Sequence, residues 1–298
     1  MILEIPGATP LVSVIIPAYN AEKNLSKCLE SVLAQNYEPF EIIVVDNNSI
    51  DKTKEIILEF KKSNKKVKYV FEEIRGRAIA RNAGIKNTTG EIIAMLDSDC
   101  FVPINWIQEI SSPIIKGEES VTMGPYRPYS NNFWSGNAQK ADDDFFKNSL
   151  NGNFINHLDT KNFAIKANLM RKVMFDVNLG GVEDLEFFLR IKRFSKVRFV
   201  PSIEVIHNHE DNLKAIVKTS FDRGFWLSKV YRKHKQDKND VLSFKSLSIA
   251  NLLKFPFWAV YMFLTNNTGY AYFRVVKDLA WRIGIATEKI DHFFNERP

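Results

Sequence analysis

The chain is poor in cysteine, with two in 298 residues, which excludes a disulfide framework and a cysteine-built zinc site. Cys28 falls on an apolar helical stripe and Cys100 directly follows a pair of acids, a usage that suits a reducing compartment. No Gly-x-Gly-x-x-Gly follows the first predicted strand and no Walker A sequence occurs, which argues against a dinucleotide dehydrogenase or a P-loop NTPase. No apolar run reaches the roughly 20 residues that a bilayer-spanning helix needs. The nearest, Ile249 to Leu264, is interrupted by Asn251, Lys254 and Pro256. Met1 to Thr9 holds Glu4 and Pro6 and no basic start before an apolar stretch, so no secretory signal is expected and the expected location is cytoplasmic.

What is present fits an enzyme core. Hydrophobic residues make up 45% of the chain and charged ones 26%, the range of one large or two joined soluble domains. The formal charge of +6 is uneven: Trp226 to Arg282 carries ten Lys or Arg against three Asp or Glu, so the remainder is close to neutral. A local basic face suits phosphates of nucleic acid, anionic lipid or a charged acceptor, and is equally the pattern of a solvated helical surface.

Leu11 to Pro17 is a near-continuous β-branched run, the pattern of a strand buried on both faces of a parallel sheet. Leu25, Cys28, Leu29, Val32 and Leu33 recur at helical spacing. Strands follow at Glu41 to Asp46, Val67 to Phe71 and Glu91 to Leu96, with a Ser49-capped helix through Ile56, Ile57 and Phe60 and a short one at Ala78 to Lys86. The alternation predicts a doubly wound α/β sheet. In such sheets ligands lie outside the carboxyl ends of the strands. Those ends are polar here: Pro17-Ala18-Tyr19-Asn20, then Asp46-Asn47-Asn48-Ser49-Ile50-Asp51, then Asp97-Ser98-Asp99. In an extended chain Asp97 and Asp99 share one face and Ser98 points away. Two adjacent carboxylates favour a hard divalent cation that keeps positions for substrate phosphates.

Four ordered blocks carry a resemblance: Val14 to Asn20, Glu41 to Asp51, Gly76-Arg77-Ala78-Ile79-Ala80-Arg81-Asn82-Ala83-Gly84, and Asp97-Ser98-Asp99. Together they resemble the family 2 glycosyltransferases of the GT-A fold, over about residues 10 to 210. The resemblance implies a Rossmann-like nucleotide-diphospho-sugar transferase fold with a helical C-terminal extension. It also implies an inverting reaction that depends on Mn²⁺ or Mg²⁺ and a nucleotide-sugar donor. Residue by residue, it puts Pro17, Tyr19 and Asp46 around the base and ribose, with Asn20, Asn48, Asp51, Arg77 and Ser98 in the same pocket. Arg77 is equally an ion-pair partner for Asp51. Asp99 is the implied metal ligand, and Asp97 serves the ribose or the metal. A carboxylate at position 46 suits the imide N–H of uracil without excluding guanine.

Gly180-Gly181-Val182-Glu183-Asp184 opens an apolar-periodic helix, and the glycine pair suggests a flexible approach. The segment resembles the family's Glu-Asp motif, which makes Asp184 the general base on an acceptor hydroxyl and Glu183 its alternative. His207 is the implied further metal ligand, with His209 as the alternative. The Gln-x-x-Arg-Trp signature of processive synthases is absent, so one sugar per encounter is expected. Along the chain this gives a nucleotide-sugar half (residues 1–125), an acceptor half with the base (126–225) and a basic, aromatic-rich helical region (226–298).

In that last region Phe273, Val276, Leu279, Ala280 and Ile283 lie to one side of a helix and Arg274, Lys277 and Arg282 to another. The expected partner is an anionic membrane surface and the expected acceptor a saccharide linked to a polyprenyl lipid, at the cytoplasmic membrane face. A homodimer interface is the alternative use of these helices. Nucleic acid is not an expected partner. A sugar nucleotidyltransferase and an inactive homologue of the fold are the competing functions. The first would show a glycine-rich basic loop where Pro17-Ala18-Tyr19-Asn20 stands, and the second would have lost Asp97, Asp99 or Asp184.

Overall fold

The structure is a computed structural model that describes residues 9–234 and 254–295. The first apolar run becomes β1 (Val12–Ala18), whose Val12, Val14, Ile15 and Ile16 are fully buried, as a central parallel strand requires. α1 (Leu25–Leu33) buries the expected stripe of Leu25, Cys28, Leu29 and Val32. β2 (Phe40–Asp46), α2 (Thr53–Ser63), β3 (Val67–Phe71), α3 (Arg77–Lys86) and β4 (Ile92–Met95) continue the alternation. Ser49 does not cap α2. Its hydroxyl accepts the Asn20 N–H at 3.1 Å, while Asp51 Oδ1 accepts the Thr53 N–H at 3.0 Å and holds the start of α2. The turn after β2 spends its polar groups on the turn after β1 before the helix begins.

β5 (Cys100–Phe101), α4 (Trp106–Ile115), β6 (Val121–Met123), β7 (Tyr126–Pro128), α5 (Phe133–Ser149), β8 (Leu150–Asn151), β9 (Phe154–Ile155), β10 (Phe163–Lys166), α6 (Ala167–Val173), α7 (Glu183–Ile191), β11 (Val197–Phe199) and β12 (Val205–His207) follow. The main sheet runs β3-β2-β1-β4-β10-β6-β11-β9-β8. β1 lies between β2 and β4 and is parallel to both, with Val12 opposite Phe40 and Ile92. Strand order therefore reverses at β1, the switch point beside which the loops after β1, β2 and β4 emerge. Beyond β4 the sheet is mixed, since β10 is antiparallel to β4 and β6. A glycine fixes the packing of α3 on β1: a Cβ on Gly84 would sit 2.5 Å from Ile15 Cγ2.

The chain forms two compact units. The first comprises Met1–Arg127, Asn148–Asn178 and Glu183–Asn208, and the second Pro128–Lys147, Leu179–Val182 and His209–Pro298. The second unit is helical, with most of α5, α8 (Leu213–His234), α9 (Phe255–Thr265) and α10 (Thr268–Asn295). Its core gathers Ala138, Ala141, Ile216, Met262, Tyr270, Ala271 and Phe273. α8 and α10 cross at two glycines. A Cβ on Gly224 would meet the Trp281 carbonyl oxygen at 2.0 Å, and one on Gly284 the Phe221 carbonyl oxygen at 2.1 Å. Fully buried Glu288 pairs with Arg232 along the same contact. The part of the basic segment and of the aromatic run that spans residues 235–253 lies outside the described residues.

Candidate active site

β4 ends at Met95, and the chain then turns instead of running on extended, with Cys100 N–H donating to the Asp97 carbonyl at 3.1 Å. The two acids thus sit in a turn and not in an extended strand. Asp97 Oδ1 accepts from Arg81 Nη2 at 3.1 Å, whereas Asp99 faces a different partner. Antiparallel pairing of β5 with β12 sets His207 opposite Cys100, and Asn208 N–H donates to the Asp99 carbonyl at 3.2 Å. The pairing leaves His207 Nε2 3.6 Å from Asp99 Oδ2. Ligand atoms of Asp99, Cys100 and His207 all lie within 4.8 Å of one another.

The two histidines have different surroundings. β12 stops at His207, so strand alternation does not reach His209, whose Nε2 lies 3.8 Å from Asp142 Oδ2 in the helical unit. His207 is packed edge-on against Tyr126 with ring centroids 5.9 Å apart. The Lys161 ammonium sits 4.3 Å from the Tyr126 ring and 2.7 Å from Asp159 Oδ2, a buried pair against that ring.

The nucleotide-side candidates converge on the loops after β1 and β2. Pro17 is the penultimate residue of β1, and Tyr19 is exposed with the Arg75 guanidinium 4.9 Å from its ring. Asn20 and Asn48 both adopt left-handed backbone, at φ 48° and 60°, a region asparagine tolerates better than most residues. Asn20 Oδ1 accepts the Ile50 N–H at 3.0 Å and Asn48 Nδ2 donates to the Glu73 carbonyl at 3.0 Å. Asp46 is buried, accepting from Ser49 N–H at 3.0 Å and Tyr69 O–H at 3.3 Å. Asp51 accepts from the N–H of Glu22 and of Thr53, so its carboxylate is used in the loop and not in an ion pair with Arg77. Arg77 is exposed at the start of α3, and Ser98 is half-buried in the turn between the two acids.

α7 sorts its three acids. Glu186 is fully buried and accepts from Arg190 Nε with both oxygens at 2.9 Å, while Arg190 also donates to the Val173 and Met174 carbonyls. Glu183 is buried against Arg81. Burial opposes its ionisation, but the Arg81 guanidinium, with Arg77 beyond it, holds the carboxyl below the usual range. Asp184 is half-buried and accepts the Leu185 N–H at 2.8 Å. Val182, one residue before this pair, has φ 50°, a strained backbone for a β-branched side chain. The preceding glycines have a packing role. A Cβ on Gly180 or Gly181 would lie 2.4 or 2.8 Å from the Trp226 ring, so their missing side chains make room for the indole.

Arg81 is the residue that motif reading passed over. It is buried, and although burial disfavours its charge, Asp97, Glu183 and Asp184 together hold it protonated. Its spacing from Arg77, one helical turn within the same block, was the available signal.

Residues 13–177 match the profile described as glycosyl transferase family 2. The chain belongs to that family. Glycosyl transferase family 2 relatives include glycosyltransferase GlyA of Streptococcus pneumoniae serotype 4, 27% identical over 183 residues that cover 57% of this chain and 26% of that protein. Another is the UDP-Glc:alpha-D-GlcNAc-diphosphoundecaprenol beta-1,3-glucosyltransferase WfgD of Escherichia coli, 39% identical over 123 residues covering 41% of this chain and 48% of that one. The chain matches less than half the length of either relative. Among solved structures, mannosyltransferase PcManGT from Pyrobaculum calidifontis, in complex with GDP-Man and Mn²⁺, superposes with a TM-score of 0.66 at 18% identity over 96% of this chain and 88% of that one. The fold is the expected one, GT-A with a helical C-terminal region.

Proposed function

We propose that this glycosyltransferase moves one sugar per encounter, with inversion, from a nucleoside-diphosphate donor to a hydroxyl of a saccharide acceptor, and that it requires a divalent cation. The supporting observation is the meeting of Asp99 and His207, 3.6 Å apart although 108 positions separate them in sequence. A carboxylate and an imidazole fit Mn²⁺ or Mg²⁺ completed by water and phosphate oxygens. The Cys100 thiol is fully buried, and burial with the nearby Asp99 and Asp97 pushes it well above its usual range. A thiol is a soft donor that Mg²⁺ and Mn²⁺ do not favour over oxygen, so it is not counted as a ligand. When bound, the cation would stabilise negative charge on the departing diphosphate.

The chain's own residues supply the rest. Tyr19, backed by Arg75, gives the base a stacking surface, and Asp46 is the acceptor for the imide N–H of uracil. WfgD, named for UDP-Glc, supports a uridine donor for this chain, and PcManGT with GDP-Man supports the guanine alternative. Asp184 takes the acceptor proton on its carboxylate, so that the freed oxygen attacks the anomeric carbon opposite the departing diphosphate. Glu183 serves instead as the counterion of Arg81. The name of WfgD supports an acceptor saccharide carried on a polyprenyl diphosphate.

The test is to incubate the purified protein with Mn²⁺ and a panel of UDP- and GDP-sugars, with and without chelator, and to measure nucleotide release. Metal-dependent release from one donor is expected. No release and no thermal stabilisation by any donor would overturn the reading.

A further inference from the structure

We infer that the outer faces of α9 and α10 form a docking surface for an anionic bilayer leaflet. α9 contains no charged residue, and Phe257, Val260, Tyr261 and Leu264 stand 79%, 60%, 59% and 79% exposed. Their i, i+3, i+4, i+7 spacing puts them on one face. The other face is spoken for, since Met262 is buried in the core of the helical unit and Trp258 packs against it. A surface helix of a soluble protein carries polar residues on the side turned away from its core, and α9 carries aromatic and aliphatic ones. α10 repeats the pattern. Tyr272, Leu279, Ile283 and Ile290 are 44% to 58% exposed, fall on one stripe of the helix, and end beside exposed Phe293 and Phe294. The opposite side of α10 is closed by the Gly224 and Gly284 crossing with α8.

Charge selects the occupant. Leu213–His234 and Lys254–Asn295 together carry eleven Lys or Arg against four Asp or Glu, and three of those acids, Asp222, Asp278 and Glu288, are paired with Lys218, Arg282 and Arg232. A second copy would bring two net-positive helical segments together, which is unfavourable, whereas anionic headgroups complement them. No helix among the described residues is long and apolar enough to cross a membrane, so the helices lie on the leaflet, as interfacial helices with Trp, Phe and Leu facing the lipid do. The surface would serve a lipid-linked acceptor, but its evidence does not depend on the transfer reaction.

The test uses the full chain with vesicles of phosphatidylcholine alone or mixed with phosphatidylglycerol, in low and high salt. Sedimentation with the mixed vesicles at low salt is expected, with weaker binding in high salt. The exposed double variant Phe257→Glu, Leu264→Glu should lose about tenfold or more in partitioning while keeping its circular dichroism and its metal-dependent nucleotide release. Wild-type protein that ignores the anionic vesicles overturns the inference, as does a double variant that binds them undiminished. A wild-type dimer that the same substitutions convert to monomer overturns it in favour of a second copy. Vesicle binding without nucleotide release from any donor supports the surface and removes only the proposed reaction.

Discussion

Arg81 is buried between Asp97 and Glu183, donating through one amino group to each. A single guanidinium thus ties the turn after β4 to the start of α7. Removing a buried charge strands its partners at a cost of about 3–5 kcal/mol. Arg81→Ala is expected to lower stability by that order in urea titration, and nucleotide release should fall further than the loss of folded protein explains. Unchanged stability would show that Glu183 finds another counterion.

On α7, Glu183 is buried against Arg81 and Asp184 is half-buried, so the two candidate bases have different surroundings. Asp184→Asn should keep donor affinity and lose turnover by about 10²-fold or more. Glu183→Gln should instead show first as a lowered unfolding midpoint. Measuring donor Kd, kcat and stability for both variants decides the assignment, and a dead, stable Glu183→Gln beside an active Asp184→Asn would exchange the roles.

Much of this was legible because it rests on periodicity and punctuation. β1 and β2 announce themselves as long β-branched runs, and α1 by its Leu25, Cys28, Leu29, Val32 stripe. β6, β10 and β11 have three or four residues each, too few to show a period, so the mixed half of the sheet was not readable. The Asp97–Asp99 turn was misread as extended because a strand pattern gives no sign of where it stops. The β5–β12 pairing, which brings His207 to Asp99, is a long-range register between strands of two and three residues. The packing role of Gly180 and Gly181 was not readable because Trp226, whose ring needs the space, lies 45 positions after Gly181.

If His207 completes the metal site with Asp99, His207→Ala should raise the Mn²⁺ concentration for half-maximal nucleotide release by about tenfold, equivalent to roughly 1.4 kcal/mol, and Asp99→Ala should abolish the metal response. His209→Ala, against Asp142, should leave the metal titration unchanged. A response in the His209 variant and none in the His207 variant would reverse the assignment.

The α8–α10 crossing is a backbone contact, since a Cβ at position 224 would come within 2.0 Å of the Trp281 carbonyl oxygen. Neither backbone can yield as a flexible side chain would. Gly224→Ala should therefore cost on the order of 1–3 kcal/mol through overpacking. Gly117→Ala, where nothing lies within 4 Å but φ is +73°, should cost less, through backbone strain alone. Thermal melts of the two variants compare a closed contact with an open turn.

Glu41 gives the fold a pH dependence of known sign. Its side chain is buried, and burial alone would raise its pKa. Lys68, the Ser13 hydroxyl at 2.6 Å and the Thr89 N–H at 2.7 Å outweigh that and bring it down to about 2. A carboxyl whose pKa is lower folded than unfolded contributes its full stability above the unfolded value of about 4.5 and loses it as the pH falls from there toward about 2. The contribution is on the order of 3 kcal/mol by linkage. Glu41→Gln should thus be less stable than wild type at pH 7 and should flatten the fall in stability below about pH 4.5. Urea titrations of both proteins at pH 7, 4.5 and 3.5 check it, and parallel stability curves would remove Glu41 as the source.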